Sequence, residues 1–206
     1  MLSRMTRSGP ADARAGLLQA GIELFRRKGY VAATVDDVCQ AAGVTKGAFF
    51  HHFASKEALA EACLTAWGCH AAGMMEAAPF QRAADPLDRL VGAMDFTIAL
   101  FANPDVLKSC LAGTLVQEVA ETHPALRAGA QACFGGSQAQ FQTLLDAACA
   151  RRRVRLDTAA LARLWSATMQ GALILHKASG DETVIPQSLT HVRDYIRSLV
   201  GDRKKR

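Results

Sequence analysis

The sequence predicts an all-α protein of about nine helices, in which three short N-terminal helices precede a larger C-terminal helical domain. The first observation is periodicity, because apolar residues recur at intervals of three and four, as in Leu18, Ile22 and Phe25. The second observation is the spacing of helix breaks, since glycines, prolines and polar pairs interrupt this pattern at intervals that suit helices and turns. Gly29 and Gly43 are two such breaks, and a short second helix fits between them.

The composition is that of a globular protein, because 50% of the 206 residues are hydrophobic and 21% are charged. No apolar run reaches the length of about 18 residues that spans a membrane, and the N-terminus lacks the apolar core of a signal peptide. We therefore expect a cytoplasmic protein without a membrane partner. None of the six cysteines forms a Cys-x-x-Cys pair, so we expect reduced thiols and neither a metal nor a cofactor.

The charge is unevenly distributed along the chain, whose net charge is +5. Residues 1–56 carry eight Lys and Arg against four Asp and Glu, whereas residues 57–202 carry twelve against fifteen. The last four residues, 203–206, are all basic and are interpreted as a tail. A basic N-terminal part on a slightly acidic body indicates a polyanionic partner such as nucleic acid, although a solvated basic surface fits the charge equally well.

Capping residues place the second, third and fourth helices. Thr34 is followed three residues later by Asp37, which is the spacing of a capping box at the start of the second helix. Gly43 permits a tight turn, and Thr45 can cap a third helix that begins at the next residue. Ser55 can cap a long fourth helix. Two short helices joined by such a turn form a helix-turn-helix at about residues 34–53.

The residues of this segment carry a resemblance to a known family. The stretch TVDDVCQAAGVTKGAFFHHFASKEAL, residues 34–59, and the preceding LFRRKGY, residues 24–30, resemble the DNA-binding domain of TetR/AcrR transcriptional regulators. The rest of the chain is similar in size, helix count and the pattern of the last two helices. The resemblance implies a DNA-binding domain at 1–56 and a ligand-binding and dimerisation domain at 57–202. It implies a homodimeric regulator of a double-stranded DNA operator.

The resemblance also implies roles for single residues. The one matching Thr34 caps the second helix and touches a phosphate, and the one matching Lys56 reaches a phosphate from the fourth helix. Gly47 would let the recognition helix approach DNA closely, because it has no side chain. The family usually has tyrosine at Phe50, so a phosphate hydrogen bond is lost there, although the ring can still pack on the backbone. The candidates for DNA binding are Thr34, Thr45, Lys46, Gly47, Ala48, Phe50, His51, His52 and Lys56. For Phe49 and Phe53 we expect packing onto the first and fourth helices instead.

The C-terminal domain contains candidates for a ligand pocket and a dimer interface. A pocket is mostly apolar with a few polar anchors. The ligand-binding candidates are Trp67, His70, Met74, Met94, Cys110, Thr114, Gln117, Phe141, Trp165 and Met169. Two amphipathic helices at the end of the chain could form a four-helix bundle across a two-fold axis, or else face their own core. The dimer candidates are Trp165, Met169, Leu173, Val192, Ile196 and Leu199.

The favoured function is a repressor that a small hydrophobic or aromatic ligand releases from a palindromic operator. One alternative is a thiol-based redox or electrophile sensor on the same fold, and another is an architectural DNA-binding protein without a ligand. An enzyme is not expected, because the sequence has no spaced nucleophile-base pair, metal-ligand cluster or phosphate-binding glycine loop.

Overall fold

The computed structural model describes residues 10–103, 106 and 108–201, with the side chains of 10–12 left out. The described part of the chain is all-α, as predicted, and its elements are nine α-helices and a 3₁₀ turn at Pro79–Arg82. The basic tail at 203–206 lies outside the described residues. The helices are α1 (Pro10–Lys28), α2 (Val35–Ala42), α3 (Lys46–His52), α4 (Lys56–Ala77), α5 (Pro86–Ala102), α6 (Leu111–Val119), α7 (Pro124–Arg152), α8 (Thr158–Ser179) and α9 (Val184–Gly201).

The helices divide into two compact units, which we call the head and the body. The head comprises residues up to Trp67 together with Leu111–Cys133, so it contains α1 to α3, the start of α4, α6 and the start of α7. The body comprises Gly68–Cys110 and the chain from Phe134 onward. Helices α4 and α7 are each continuous and contribute residues to both units. The functional boundary expected after residue 56 stays a prediction.

The head has its own apolar core, in which α1 packs against α2, α3 and α6. Its fully buried side chains include Leu17 and Phe25 of α1, Phe49 of α3, Leu59 of α4 and Leu115 of α6. These residues come from four helices, each of which presents one apolar stripe to a shared interior. Burial of such side chains is the main stabilising contribution to a small helical unit.

The predicted caps are all present. The Thr34 hydroxyl accepts a hydrogen bond from the amide of Asp37 at 3.1 Å, and the Asp37 carboxylate accepts one from the amide of Thr34 at 3.0 Å. Gly43 has φ +66° and ends α2 in the left-handed conformation, which glycine adopts without steric cost. Thr45 and Ser55 cap α3 and α4 through amides in their first turns. The sequence therefore sets both ends of α2 and the start of the two helices that follow.

The body is built around a core shared by α5, α7, α8 and α9. Its buried side chains include Leu90 and Met94 of α5 and Leu145 of α7, and Phe141 stacks on Trp165 with ring centroids 5.4 Å apart. Within the part of the chain that the structure describes, no helix is long and apolar enough to cross a membrane.

The body core contains the residues of the predicted dimer interface, whose role in assembly stays a prediction. The residues selected from the sequence for that interface face the core of a single chain, because α8 and α9 pack on each other and α9 packs on α5. Four of them are buried there and two pack against it from the edge: Trp165, Leu173, Val192 and Ile196, then Met169 and Leu199. They leave little apolar surface for a partner. The other face of α8 has the exposed apolar side chains.

Replacement of Ile196 by alanine tests this placement. The side chain is 0% exposed within one chain, so its removal leaves a cavity in the body core. We expect a loss of about 2–5 kcal/mol in the free energy of unfolding, measured by urea denaturation. The neighbouring Arg197→Ala is the control, because that side chain is exposed and should change stability little. Equal stability of the two variants would show that Ile196 is not a core residue.

Candidate nucleic-acid interface

Helix α3 has an inward and an outward face. Phe49 is 0% exposed and Phe53, just after the helix, is also buried, as their predicted packing role requires. The Phe53 ring lies 5.4 Å from the guanidinium of Arg14 on α1. In contrast, Phe50 is 55% exposed, and His51 is exposed beside the partly buried His52. The buried aromatic residues fix the helix on the head, and its polar and aromatic outer face is free to contact another molecule.

The start of α3 is open and ordered. The Thr45 hydroxyl accepts a hydrogen bond from the amide of Ala48 at 3.2 Å, which holds the first turn. A Cβ added to Gly47 would meet only the Thr45 hydroxyl, at 3.7 Å, an ordinary van der Waals distance. The packing of the chain itself therefore does not require glycine at this position.

Lys46, the first residue of α3, forms an ion pair that the sequence analysis missed. Its Nζ lies 2.8 Å from a carboxylate oxygen of Asp36, in the first turn of α2. The hydrogen bond that Lys46 donates to the Asp36 carboxylate, together with the negative charge of that carboxylate, raises the pKa of Lys46. The pair joins the two helices of the helix-turn-helix on its exposed side. The sequence alone could not show that the turn brings these two residues together.

The resemblance implies that Lys56 reaches a phosphate with its amide or its ammonium, and in this structure the ammonium is bonded within the chain. It donates hydrogen bonds to the carbonyl oxygens of Tyr30 at 2.8 Å and of Ala33 at 2.9 Å, and it lies 4.3 Å from the centre of the Tyr30 ring. Partial burial lowers the pKa of Lys56, and the charge of Glu118 opposes that shift. In the free protein this ammonium holds the loop between α1 and α2. A phosphate contact from Lys56 would therefore use its backbone amide at the start of α4.

Glu118 of α6 holds the same loop from another direction. Its carboxylate accepts a hydrogen bond from the amide of Val31 at 3.0 Å. The Glu118 carboxylate occupies the space where a side chain at Gly29 would lie. Gly29 also has φ +84°, a conformation that favours glycine, so both the packing and the backbone restrict this position to glycine. The sequence gives no indication of this contact, because 87 residues separate the two partners. The loop leading into the helix-turn-helix is thus tied by both α4 and α6.

The candidate ligand residues are divided between the two units. Trp67, Thr114 and Gln117 belong to the head, where the Trp67 ring lies 4.5 Å from the guanidinium of Arg26. The other seven belong to the body: Met94, Phe141 and Trp165 lie in its core, Cys110 and Met169 pack against that core, Met74 is partly buried and His70 is exposed. The body core brings together five of the ten predicted residues. Their role in binding a ligand stays a prediction.

The helix-turn-helix and the helical body agree with a comparison to known protein families. A model described as bacterial regulatory proteins of the tetR family matches residues 17–63. A second model, described as a tetracyclin repressor-like C-terminal domain, matches residues 86–192, which is about half of the chain. The chain belongs to the TetR family of DNA-binding transcriptional regulators. The regulators of this family are not enzymes. Helix α3 is the second helix of the helix-turn-helix, which is the position of the recognition helix in that motif.

Individual TetR family relatives are moderately similar. The transcriptional regulator AcuR of Cereibacter sphaeroides is 32% identical over 107 residues, which cover 52% of this chain and 49% of AcuR. The chain thus matches about half the length of that relative. The HTH-type transcriptional repressor DhaR of Mycobacterium sp. is 26% identical over 181 residues, which cover 87% and 89% of the two chains. A TetR family regulator from Agrobacterium tumefaciens has the same fold, with a TM-score of 0.81 at 21% identity, covering 91% of this chain and 98% of that one.

The position of the Lys56 ammonium leads to a prediction about stability. In Lys56→Met the aliphatic stem stays but two carbonyl oxygens lose their donor, so we expect the free energy of unfolding to fall by about 1–3 kcal/mol. The salt dependence of DNA binding, measured on the folded variant, should match that of the unaltered protein. Lys28→Met is the control, because Lys28 is an exposed lysine of the same unit, 3.3 Å from Asp37. A salt slope that becomes shallower only in Lys56→Met would instead assign this ammonium to a phosphate.

Proposed function

We propose that the protein is a repressor that binds a palindromic operator as a homodimer and is released by a small hydrophobic or aromatic molecule. The observation that carries the DNA-binding part is the outward face of α3, where Lys46, Gly47, Phe50 and His51 are exposed on a helix anchored by Phe49. A helix presented in this way can enter a major groove. The name of DhaR, a repressor similar over most of its length, supports the direction of regulation.

The side chains of this surface suggest how the contacts are divided. Lys46 can donate to acceptors on a base edge, which would carry sequence information. His51 and the amide of Lys56, at the start of the long helix α4, can bind phosphates and so position the head. The exposed ring of Phe50 can pack on the sugar-phosphate backbone. Thr34 and Thr45 already use their hydroxyls as caps, so their part in DNA binding would be to hold the helices in place.

Gly47→Ala separates DNA binding from folding. The added methyl group has room in the free protein, so stability should be unchanged or slightly higher. Against DNA the same methyl group should prevent close approach, at a cost of about 1–3 kcal/mol, or about 5- to 150-fold in affinity for a duplex that the protein selects. Gly135→Ala on α7 is the matched control, because a Cβ there meets nothing within 4 Å and so also has room in the free protein. Normal operator affinity in Gly47→Ala would mean that α3 does not approach DNA at this point.

The proposed homodimer would use the outward face of α8 and part of α9. Leu164, Ile174 and Leu175 on α8 are 39%, 47% and 59% exposed, and Tyr195 on α9 is 52% exposed. The three α8 positions lie on one side of the helix, and Gly171 between them has open space around it. A second copy would cover this face, because a two-fold axis pairs the same helices of both chains.

Leu175→Glu tests the assembly. The side chain is exposed in one chain, so the monomer should fold normally, but a carboxylate in a covered interface would be desolvated. We expect the dimer dissociation constant to rise by about 100-fold or more in sedimentation velocity. Val31→Glu is the control, since Val31 is an apolar side chain that is 70% exposed and belongs to the head. An unchanged dissociation constant for Leu175→Glu would rule out this face as the interface.

One helical connection supports the proposed release by a ligand. Helix α4 starts at the Ser55 cap beside α3 and continues into the body. A molecule bound in the body that displaces α4 would change the position of α3. The two half-sites of an operator are about one helical turn apart, so a small displacement breaks simultaneous contact. Linkage then requires that operator DNA weaken ligand binding by the same factor, typically about 5- to 150-fold.

The alternative trigger is a cysteine thiol. Three cysteines are poor sensors, because burial raises the pKa of Cys63 to about 12 and also raises the pKa of Cys39 and Cys149. Cys69 is exposed, and Cys110 and Cys133 are partly buried. The Cys133 thiol donates a hydrogen bond to the carbonyl oxygen of Leu64 at 3.2 Å, which favours its protonated form. Cys69 and Cys110 are therefore the better candidates for an electrophile or oxidant.

The double variant Cys69→Ser/Cys110→Ser distinguishes the triggers. A saturating reversible apolar ligand should still release it from the operator, although the loss of Cys110, a ligand-binding candidate, can raise the ligand concentration that this needs. A thiol sensor should lose its response to an alkylating or oxidising agent in the same gel-shift assay. If no apolar molecule and no thiol reagent changes operator affinity, the architectural alternative replaces both.

A further inference from the structure

We propose that Asp36 is a specificity-determining residue, which holds Lys46 at the DNA-facing surface and lowers affinity for DNA that is not the operator. The inference rests on the proposed function and extends it. The two residues come from different helices of the helix-turn-helix, and the Lys46 Nζ lies 2.8 Å from the Asp36 carboxylate. Both side chains are more than half exposed, at 61% and 67%, so DNA can reach the pair.

Stability explains the position of Asp36 only in part, because an acid in the first turn of α2 interacts favourably but only weakly with the helix dipole. The capping box at the start of α2 is closed by Asp37, whose carboxylate bonds to the amide and hydroxyl of Thr34. Asp37 also lies 3.3 Å from Lys28. An exposed ion pair contributes little to folding, because water and salt screen the charges. Asp36 is therefore a second acid beside a cap that is already complete, and its partner is a predicted DNA-reading lysine.

A carboxylate at position 36, beside the proposed DNA-facing surface, would repel the phosphates of any bound DNA. Affinity for non-operator DNA depends on how many phosphates Lys and Arg neutralise. While Lys46 stays paired with Asp36, it does not contribute one of those contacts. On the operator, a base-edge acceptor such as guanine O6 or N7 can replace the Asp36 oxygen as the partner of Lys46. The pair thus opens where the right base is present and stays closed elsewhere, which increases the ratio of specific to non-specific affinity.

The test compares Asp36→Asn with the unaltered protein on a selected operator and on a scrambled duplex, at several salt concentrations. Asparagine keeps the shape of the side chain and removes its charge. We expect affinity for the scrambled duplex to rise several-fold, and its log-log salt slope to become steeper by about 0.9, the value for one more phosphate contact. Operator affinity should rise less, so that the specificity ratio falls.

Two further variants make the test specific for the pair. In a Lys46→Gln background, Asp36→Asn should leave the salt slope unchanged, because Asp36 then has no lysine to hold. Glu23→Gln removes a different acid of the head, which is ion-paired with Arg27, and it should leave the specificity ratio unchanged. A merely structural role for Asp36 would alter stability without altering the salt slope.

Three outcomes would overturn the proposal. An equal rise in the affinity of Asp36→Asn for both duplexes would make Asp36 a general source of repulsion. The same change in salt slope when Asp36→Asn is made in the Lys46→Gln background would mean the same. No change on either duplex would leave Asp36 without a role in discrimination. These results leave DNA binding by the unaltered protein intact. If the unaltered protein selects no duplex at all, the proposed function fails, and this inference fails with it.

Discussion

The ammonium of Lys56 connects the start of α4 to the loop that leads into the helix-turn-helix. It donates hydrogen bonds to the carbonyl oxygens of Tyr30 and Ala33, while the carboxylate of Glu118 on α6 accepts a hydrogen bond from the amide of Val31. Polar backbone groups at the edge of a core need partners, and here a lysine and a glutamate from distant parts of the sequence supply them. Thr34 directly follows this loop, so the same bonds set the start of α2 and, through the Gly43 turn, the position of α3.

The division of α3 into two faces follows from that position. Phe49 and Phe53 are buried in the head, and the exposed face retains a lysine, a glycine and an aromatic ring on an ordered first turn. Preorganisation of this kind lowers the conformational entropy lost on binding. The Asp36–Lys46 pair lies at the edge of the same face. The inward residues of this segment thus contribute to stability, and its outward residues are those proposed to contact DNA.

Much of the head could be predicted from the sequence, because caps and turns are local. Thr34, Asp37, Gly43 and Thr45 act on neighbours within a few residues, and each has its predicted role. The tertiary partners could not be predicted, since no sequence pattern connects Lys56 to the Tyr30 carbonyl or Glu118 to Val31. The resemblance to a family suggested a phosphate for Lys56, but the loop carbonyls occupy its ammonium.

The body was harder to interpret because α8 is apolar on more than one side. Periodicity selected the Trp165 side as the interface, whereas the structure buries it in the core of one chain and exposes Ile174 and Leu175. Which of two apolar faces is internal depends on the packing of α5 and α9, which a single sequence does not specify.

The central claim concerns the head, and a structure of the protein on operator DNA tests it most directly. We predict α3 in the major groove and the Lys56 Nζ still within hydrogen-bonding distance of the carbonyls of Tyr30 and Ala33. A Lys56 ammonium bound to a phosphate, with the loop carbonyls left without it, would contradict the account.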